Sequence, residues 1–261
     1  MLKRRLSTWK LVESELDSST RMSAGSVGQF VFTVIPPTLG ISGSDERFPV
    51  RRVYCVGRNY ADHAREMGAD PDREPPFYFA KPADAVFTAT EGYQGGAGGV
   101  VPYPPQTANL HHEIELVAAL GSGGFNIPES AALQHVWGYG VGVDLTRRDL
   151  QDTAKAARRP WDLAKGFDAS GPVSPLVPAE RVRPDAGRIW IAVDNELKQE
   201  GDLADQIWPV ADVIAYLSQS VRLEAGDLIM TGTPAGVGRI DRGQRVSGGI
   251  DGVGELRFTV E

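Results

Sequence analysis

The chain has 261 residues, 41% hydrophobic and 23% charged, which is enough apolar material for a packed core and too ordinary a charge content for wholesale disorder. Its formal net charge of -7 offers no basic stripe for phosphate backbones, so nucleic acid is not an expected partner. No apolar run reaches membrane-spanning length, so no membrane association is expected. A single cysteine, Cys55, rules out an intramolecular disulfide and fits a reducing, cytoplasmic setting. Cys55 lies within Val53-Tyr54-Cys55-Val56, the context of a buried structural thiol.

In chain order, the basic start Met1-Leu2-Lys3-Arg4-Arg5 is followed by no long apolar run, and Glu13, Glu15 and Asp17 are unlike an acid-poor transit peptide. Residues 1–21, ahead of Met22, read as a disordered extension. Residues 1–47 together read as an N-terminal extension and entry arm, with 30–35 a short strand stopped by Pro36-Pro37. Residues 48–261 read as one domain. Within it, 52–56 is a buried strand, and Asn59 is placed to cap a helix over 60–67 that ends at Gly68. Asp70-Pro71 and Pro75-Pro76 mark a loop before a strand at 77–80. Gly95-Gly96-Ala97-Gly98-Gly99 lacks the Lys-Ser/Thr ending of a phosphate-binding loop and reads as a flexible hairpin connection.

A central strand is expected over 113–120, a short helix over 128–133, a strand over 136–143 and a helix over 146–157 stopped by Pro160. Strands at 188–193 and 196–199 flank an Asp194-Asn195 turn. Val210, Val213, Ile214 and Leu217 give 207–221 a helical period, and strands are expected at 227–231 and 256–260. No regular βαβ alternation and no linker is visible, which favours one α+β domain with a mixed, curved sheet.

The chemistry centres on Leu110-His111-His112-Glu113-Ile114-Glu115-Leu116. On a strand, Glu113 and Glu115 point one way and Ile114 and Leu116 the other. Two like charges so placed repel unless a positive partner sits between them, and a divalent cation is the simplest one. The alternative is a half-exposed strand with two solvated glutamates. Asp144, just past the 136–143 strand, is the natural third carboxylate or else a helix cap. An all-oxygen set suits Mg²⁺, Mn²⁺ or Ca²⁺ better than Zn²⁺. His63 and Glu66, three apart on one helix face, form either a general-base dyad or a surface pair. Lys165 sits among aromatic residues and, if buried, needs an anionic partner. Arg58 and Lys81 each follow a strand, and Thr231-Gly232-Thr233-Pro234 offers hydroxyls and backbone N–H groups to a carboxylate or else makes a tight turn. His111 and His112 read as supporting or structural, and His135 as structural.

These segments together resemble the fumarylacetoacetate hydrolase family. The motifs are Val56-Gly57-Arg58-Asn59-Tyr60, His112-Glu113-Ile114-Glu115-Leu116, Asp144-Leu145-Thr146 with Asp149 and Gln151, Lys165-Gly166-Phe167-Asp168, and Thr231 through Gly238, in family order from about Arg52 onward. The segments around Phe48-Pro49, Pro75-Pro76-Phe77 and Trp161-Asp162-Leu163 most resemble its fumarylpyruvate hydrolase and acylpyruvase branch. The resemblance implies a mixed β-roll with flanking helices, a homodimer, and Mg²⁺ or Mn²⁺ on Glu113, Glu115 and Asp144. It implies catalytic roles for His63, Glu66 and Lys165, and substrate contacts for Arg58, Lys81, Gln151 and Thr233. The activity implied is hydrolysis of a C–C bond in a 2,4-diketo acid such as 3-fumarylpyruvate, in gentisate degradation. Oxaloacetate decarboxylation and hydroxymuconate isomerisation are rivals on the same site, and a non-catalytic binding protein is a rival of another class.

Overall fold

A computed structural model describes residues 31–66, 68, 75–90 and 99–261. The chain divides into a unit Met1–Ile35 and a unit Pro36–Glu261. The expectations for residues 1–21, Asp70-Pro71 and most of the glycine-rich tract fall outside the described residues. The fold of the second unit is α+β, with mixed sheets and few helices.

The main sheet runs in the order Phe77–Lys81, Arg52–Gly57, Asp227–Met230, Ile114–Leu120, Val136–Val143, Gly171–Val173, Val86–Thr88. Arg52–Gly57 is parallel to Asp227–Met230 and Gly171–Val173 to Val86–Thr88; the other pairings along this path are antiparallel. A second sheet holds Glu196–Asp202, Arg188–Val193, Arg245–Ile250, Gly254–Val260 and Val100–Val101. Every residue of Ile114–Leu120 is buried, so this strand is covered on both faces. Ile114, Leu116, Ala118 and Leu120 pack with Ile189, Ile191 and Phe258 of the second sheet, while Val117 and Ala119 face a separate cluster with Val53, Cys55, Leu228 and Met230. Cys55 is fully buried there. Helix Val210–Ser220 lays Val210, Val213, Ile214 and Leu217 on the first cluster, as its sequence period requires.

Several boundaries differ from those expected from the sequence. Residues 31–35 form no strand; the first strands among the described residues are Thr38–Ile41 and Ser44–Pro49, a hairpin after the two prolines. The second carries Ser-Asp-Glu-Arg, which hides its strand character. Asn59 does not cap the helix Ala61–Glu66. Its amide donates to the Trp208 and Thr231 carbonyls and accepts from the Trp208 N–H, tying two loops together. The helix expected from 146 starts at Arg148, because Thr146–Arg147 pairs with Leu110–His112.

The central strand is also interrupted. Leu110–His112 belongs to a three-stranded sheet with Thr146–Arg147 and Gly238–Ile240, and Glu113 stands at the switch into Ile114–Leu120. One end of the main sheet thereby gathers Glu113, Asp144 after Val143, Thr231 to Thr233 after Met230, and Arg58 after Gly57. Ile229 is fully buried in Asp227–Met230, the strand between Arg52–Gly57 and the central Ile114–Leu120. Ile229→Ala is expected to lower unfolding stability by about 3 kcal/mol, as cavity-forming core substitutions do, read as a reduced urea midpoint.

Candidate active site

Glu113, Glu115 and Asp144 each offer a carboxylate oxygen, all within 4.8 Å of one another, and all three side chains are buried. Lys165 Nζ donates to Glu113 Oε2 at 2.8 Å and Asp144 Oδ2 at 2.6 Å. Arg148 Nη2 donates to Glu113 Oε1 at 2.5 Å. Lys81 Nζ lies 2.7 Å from Asp144 Oδ1, but it donates to the Leu145 and Lys165 carbonyls, so that Oδ1 receives no well-directed hydrogen bond.

Glu115 has the weakest compensation. Its Oε2 accepts from the Gly232 N–H at 2.8 Å, and no ion pair reaches it among the described residues. Gly232 adopts a positive φ of 92°, and a Cβ there would stand 2.6 Å from that of Asn59, so the turn presenting this N–H requires glycine. Burial first, and then the charges of Asp144 and Glu113, raise the Glu115 carboxyl well above its usual range. Burial also works to raise Glu113, but Lys165 and Arg148 outweigh it and hold that carboxyl below its ordinary value. For Lys165 burial works to lower the ammonium pKa, and Asp144 and Glu113 reverse this, so it stays protonated. A divalent cation fits this set: the ligands are hard oxygens, one buried oxygen lacks a directed partner, and one carboxylate lacks a cation.

A cleft with a free volume of about 390 Å³, mouth included, opens onto Glu113, Glu115, Arg148 and Lys165, while Asp144 is buried outside its lining. Glu113, Glu115, Lys165, His63, Arg58, Gln151 and Thr233 all line it. Lys81 is buried behind Asp144 and is not in its lining. His63 Nδ1 lies 3.3 Å from Glu66 Oε2, which also accepts from the Gly236 N–H. Burial lowers the His63 pKa, with Glu113 and Glu66 opposing, so the imidazole is neutral at pH 7. Phe77, Phe79 and Trp161 form an aromatic wall, and Gly57 makes room for it: a Cβ there would lie 2.0 Å from Phe77 Cζ.

Four further groups were not evident from the sequence. Arg148 is buried and binds Glu113, Gln151 and His111 at once. Gln199 accepts from the Ile114 N–H, meets His112 Nδ1 at 2.9 Å, and donates to Thr233 Oγ1 and the Pro234 carbonyl. Trp161 and Lys155 complete the set at the cleft. Arg148, Gln151 and Lys155 follow an i, i+3, i+7 spacing, so projecting from Gln151 along its helix would have found the other two.

A sequence model of the family described as "Fumarylacetoacetate (FAA) hydrolase C-terminal" matches residues 52–261. The chain belongs to the fumarylacetoacetate hydrolase family. Within it, the chain is 45% identical over 212 residues to the mitochondrial oxaloacetate tautomerase FAHD1 of Rattus norvegicus, covering 81% of this chain and 92% of that one. The FAHD1 of Arabidopsis thaliana is 42% identical over 211 residues, covering 80% and 91%. The crystal structure of fumarylpyruvate hydrolase from Pseudomonas aeruginosa in complex with Mn²⁺ and pyruvate is 53% identical, with a TM-score of 0.85 over 89% of this chain and 99% of that one.

Glu115→Gln keeps an acceptor for Gly232 and so preserves the turn. Mn²⁺ at one hundred times its Kd is expected to stabilise the parent protein by about 2.7 kcal/mol, and Glu115→Gln to show little of that gain, as read by denaturation with and without the ion.

Proposed function

We propose that this family member hydrolyses the C–C bond of a 2,4-diketo acid, with 3-fumarylpyruvate giving fumarate and pyruvate as the favoured case. The observation carrying this reading is a cleft that joins a neutral, carboxylate-oriented His63 to Glu113, Glu115 and a buried, protonated Lys165, which holds Asp144 behind them. The likeness to the fumarylpyruvate hydrolase of Pseudomonas aeruginosa supports it. On this reading His63, Glu66 and Lys165 act in catalysis, Arg58, Gln151 and Thr233 contact the substrate, and Lys81 supports Asp144.

Glu113, Glu115 and Asp144 would hold Mg²⁺ or Mn²⁺, which when bound supplies a Lewis acid to the oxygens of a 2-oxo acid. Glu66, beside Nδ1, fixes the His63 tautomer and leaves Nε2 to take a proton from water. The hydroxide so formed adds to the C4 carbonyl carbon, and the C3–C4 bond breaks. Its electron pair passes to the pyruvate fragment as an enolate, the His63 proton goes to C3, and the acyl fragment leaves as a carboxylic acid that gives its proton to solvent. Two Lys165 protons are engaged by Glu113 and Asp144, and a third remains to meet the developing negative charge.

A second reading is favoured by the FAHD1 relatives: His63 moves a proton between carbon and oxygen of oxaloacetate without adding water. Assays with fumarylpyruvate, maleylpyruvate, acetylpyruvate and oxaloacetate, with product analysis, separate the two. We also propose a homodimer, as the family resemblance implies, tested by light scattering. A cytoplasmic location is proposed from the lone buried cysteine; no helix among the described residues is long and apolar enough to cross a membrane.

His63→Ala is expected to lower kcat by roughly 10²- to 10⁴-fold while the Mn²⁺-dependent stabilisation persists. Because a base must be unprotonated and burial lowers its pKa, kcat/KM rises with pH and reaches half its plateau below pH 6.5. Glu66 raises that pKa, so Glu66→Gln moves the midpoint lower still; a midpoint unmoved by either variant contradicts the base assignment.

A further inference from the structure

The cations around the triad have their acids: Lys81 pairs with Asp144, Arg148 with Glu113, and Lys165 with both. Lys155 has none. It is half-buried and lines the same cleft, and no carboxylate among the described residues pairs with it; its ammonium lies 5.4 Å from the centre of the Trp161 ring. Trp161 meets Phe77 edge-on at 5.8 Å, and Phe77 carries the Arg58 guanidinium at 5.4 Å. Two cations thus ride on touching aromatic rings beside the same cavity. Burial and then the nearby charge of Arg148 lower the Lys155 pKa, the signature of an ammonium short of a counter-anion.

Helix Arg148–Ala156 supplies a ruler. Arg148 touches Glu113, and Lys155 lies seven residues further along the same face, roughly 10 Å at the helical rise. A ligand anchored by one end at the triad brings its far end to Lys155 only if it is several carbons long. We propose that Lys155 is a specificity residue that binds the distal carboxylate of a dianionic substrate. This rests on the diketo-acid reading above and extends it: the seven-carbon dicarboxylic fumarylpyruvate reaches Lys155, whereas five-carbon acetylpyruvate ends short and carries no second carboxylate.

Two measurements on the Mn²⁺-loaded full chain test this. The first is the ratio of kcat/KM for fumarylpyruvate over acetylpyruvate. Lys155→Met keeps the side chain's length on Trp161 and is expected to reduce this ratio about ten- to a hundredfold, the worth of one hydrogen bond to a charged group, mainly through KM for fumarylpyruvate. Lys155→Arg is expected to retain part of the preference. The second is calorimetric binding of 2-oxopimelate against 2-oxoheptanoate, which have equal chain length and differ in the distal carboxylate. The parent protein is expected to prefer 2-oxopimelate and Lys155→Met to lose that preference. Should the binding preference hold while no diketo acid is cleaved, the subsite stands and the hydrolase reading falls. A parent without preference, or a Lys155→Met variant that keeps it, overturns the proposal.

Discussion

Three carboxylates buried side by side are the constraint around which this structure is arranged. Left alone, such a cluster repels itself and loses its hydration. The protein opposes this with Lys165 across Glu113 and Asp144, Arg148 on Glu113 and Lys81 on Asp144. Among the described residues, Glu115 is left with the Gly232 N–H alone. The resulting imbalance suits the pocket to a hard cation, and on the proposed reading the same Lys165 that steadies the acids meets negative charge arising on a substrate.

The fold serves that cluster by bringing chain reversals to one end of the main sheet. The change of sheet at Glu113 lets neighbouring residues do different work: His112 faces Gln199, Ile114 enters the core and Glu115 turns to the cleft. Gln199, from the second sheet, bonds to His112, the Ile114 backbone and Thr233. Sheet packing and cleft geometry are thereby coupled through one buried amide, and the wall carrying Thr233 is fixed by the same contacts that join the two sheets.

Much of this is legible in the sequence because the responsible signals are local. The alternation in Glu113-Ile114-Glu115-Leu116 marks two acids against an apolar face, and the period of Val210, Val213, Ile214 and Leu217 marks a core-facing helix that the structure contains. The polar hairpin strand Ser44–Pro49 is not legible, since its pairing with Thr38–Ile41 leaves much of it at the surface. Nor is the true start of the helix at Arg148, which is decided by a ladder with Leu110–His112, far away in the chain. Asn59 has the type and position of a cap, but its amide finds better partners in the Trp208 and Thr231 backbone. Arg148 and Gln199 act through contacts with residues tens of positions away, which no short motif records.

The central claim is that Glu113, Glu115 and Asp144 converge on one ion. Anomalous diffraction from crystals soaked in manganese tests it most directly. The expected result is a peak with an oxygen of each of the three carboxylates at roughly 2.0–2.6 Å, the range of hard-cation bonds to oxygen. A peak elsewhere in the molecule, or one that Asp144 does not reach, would contradict it.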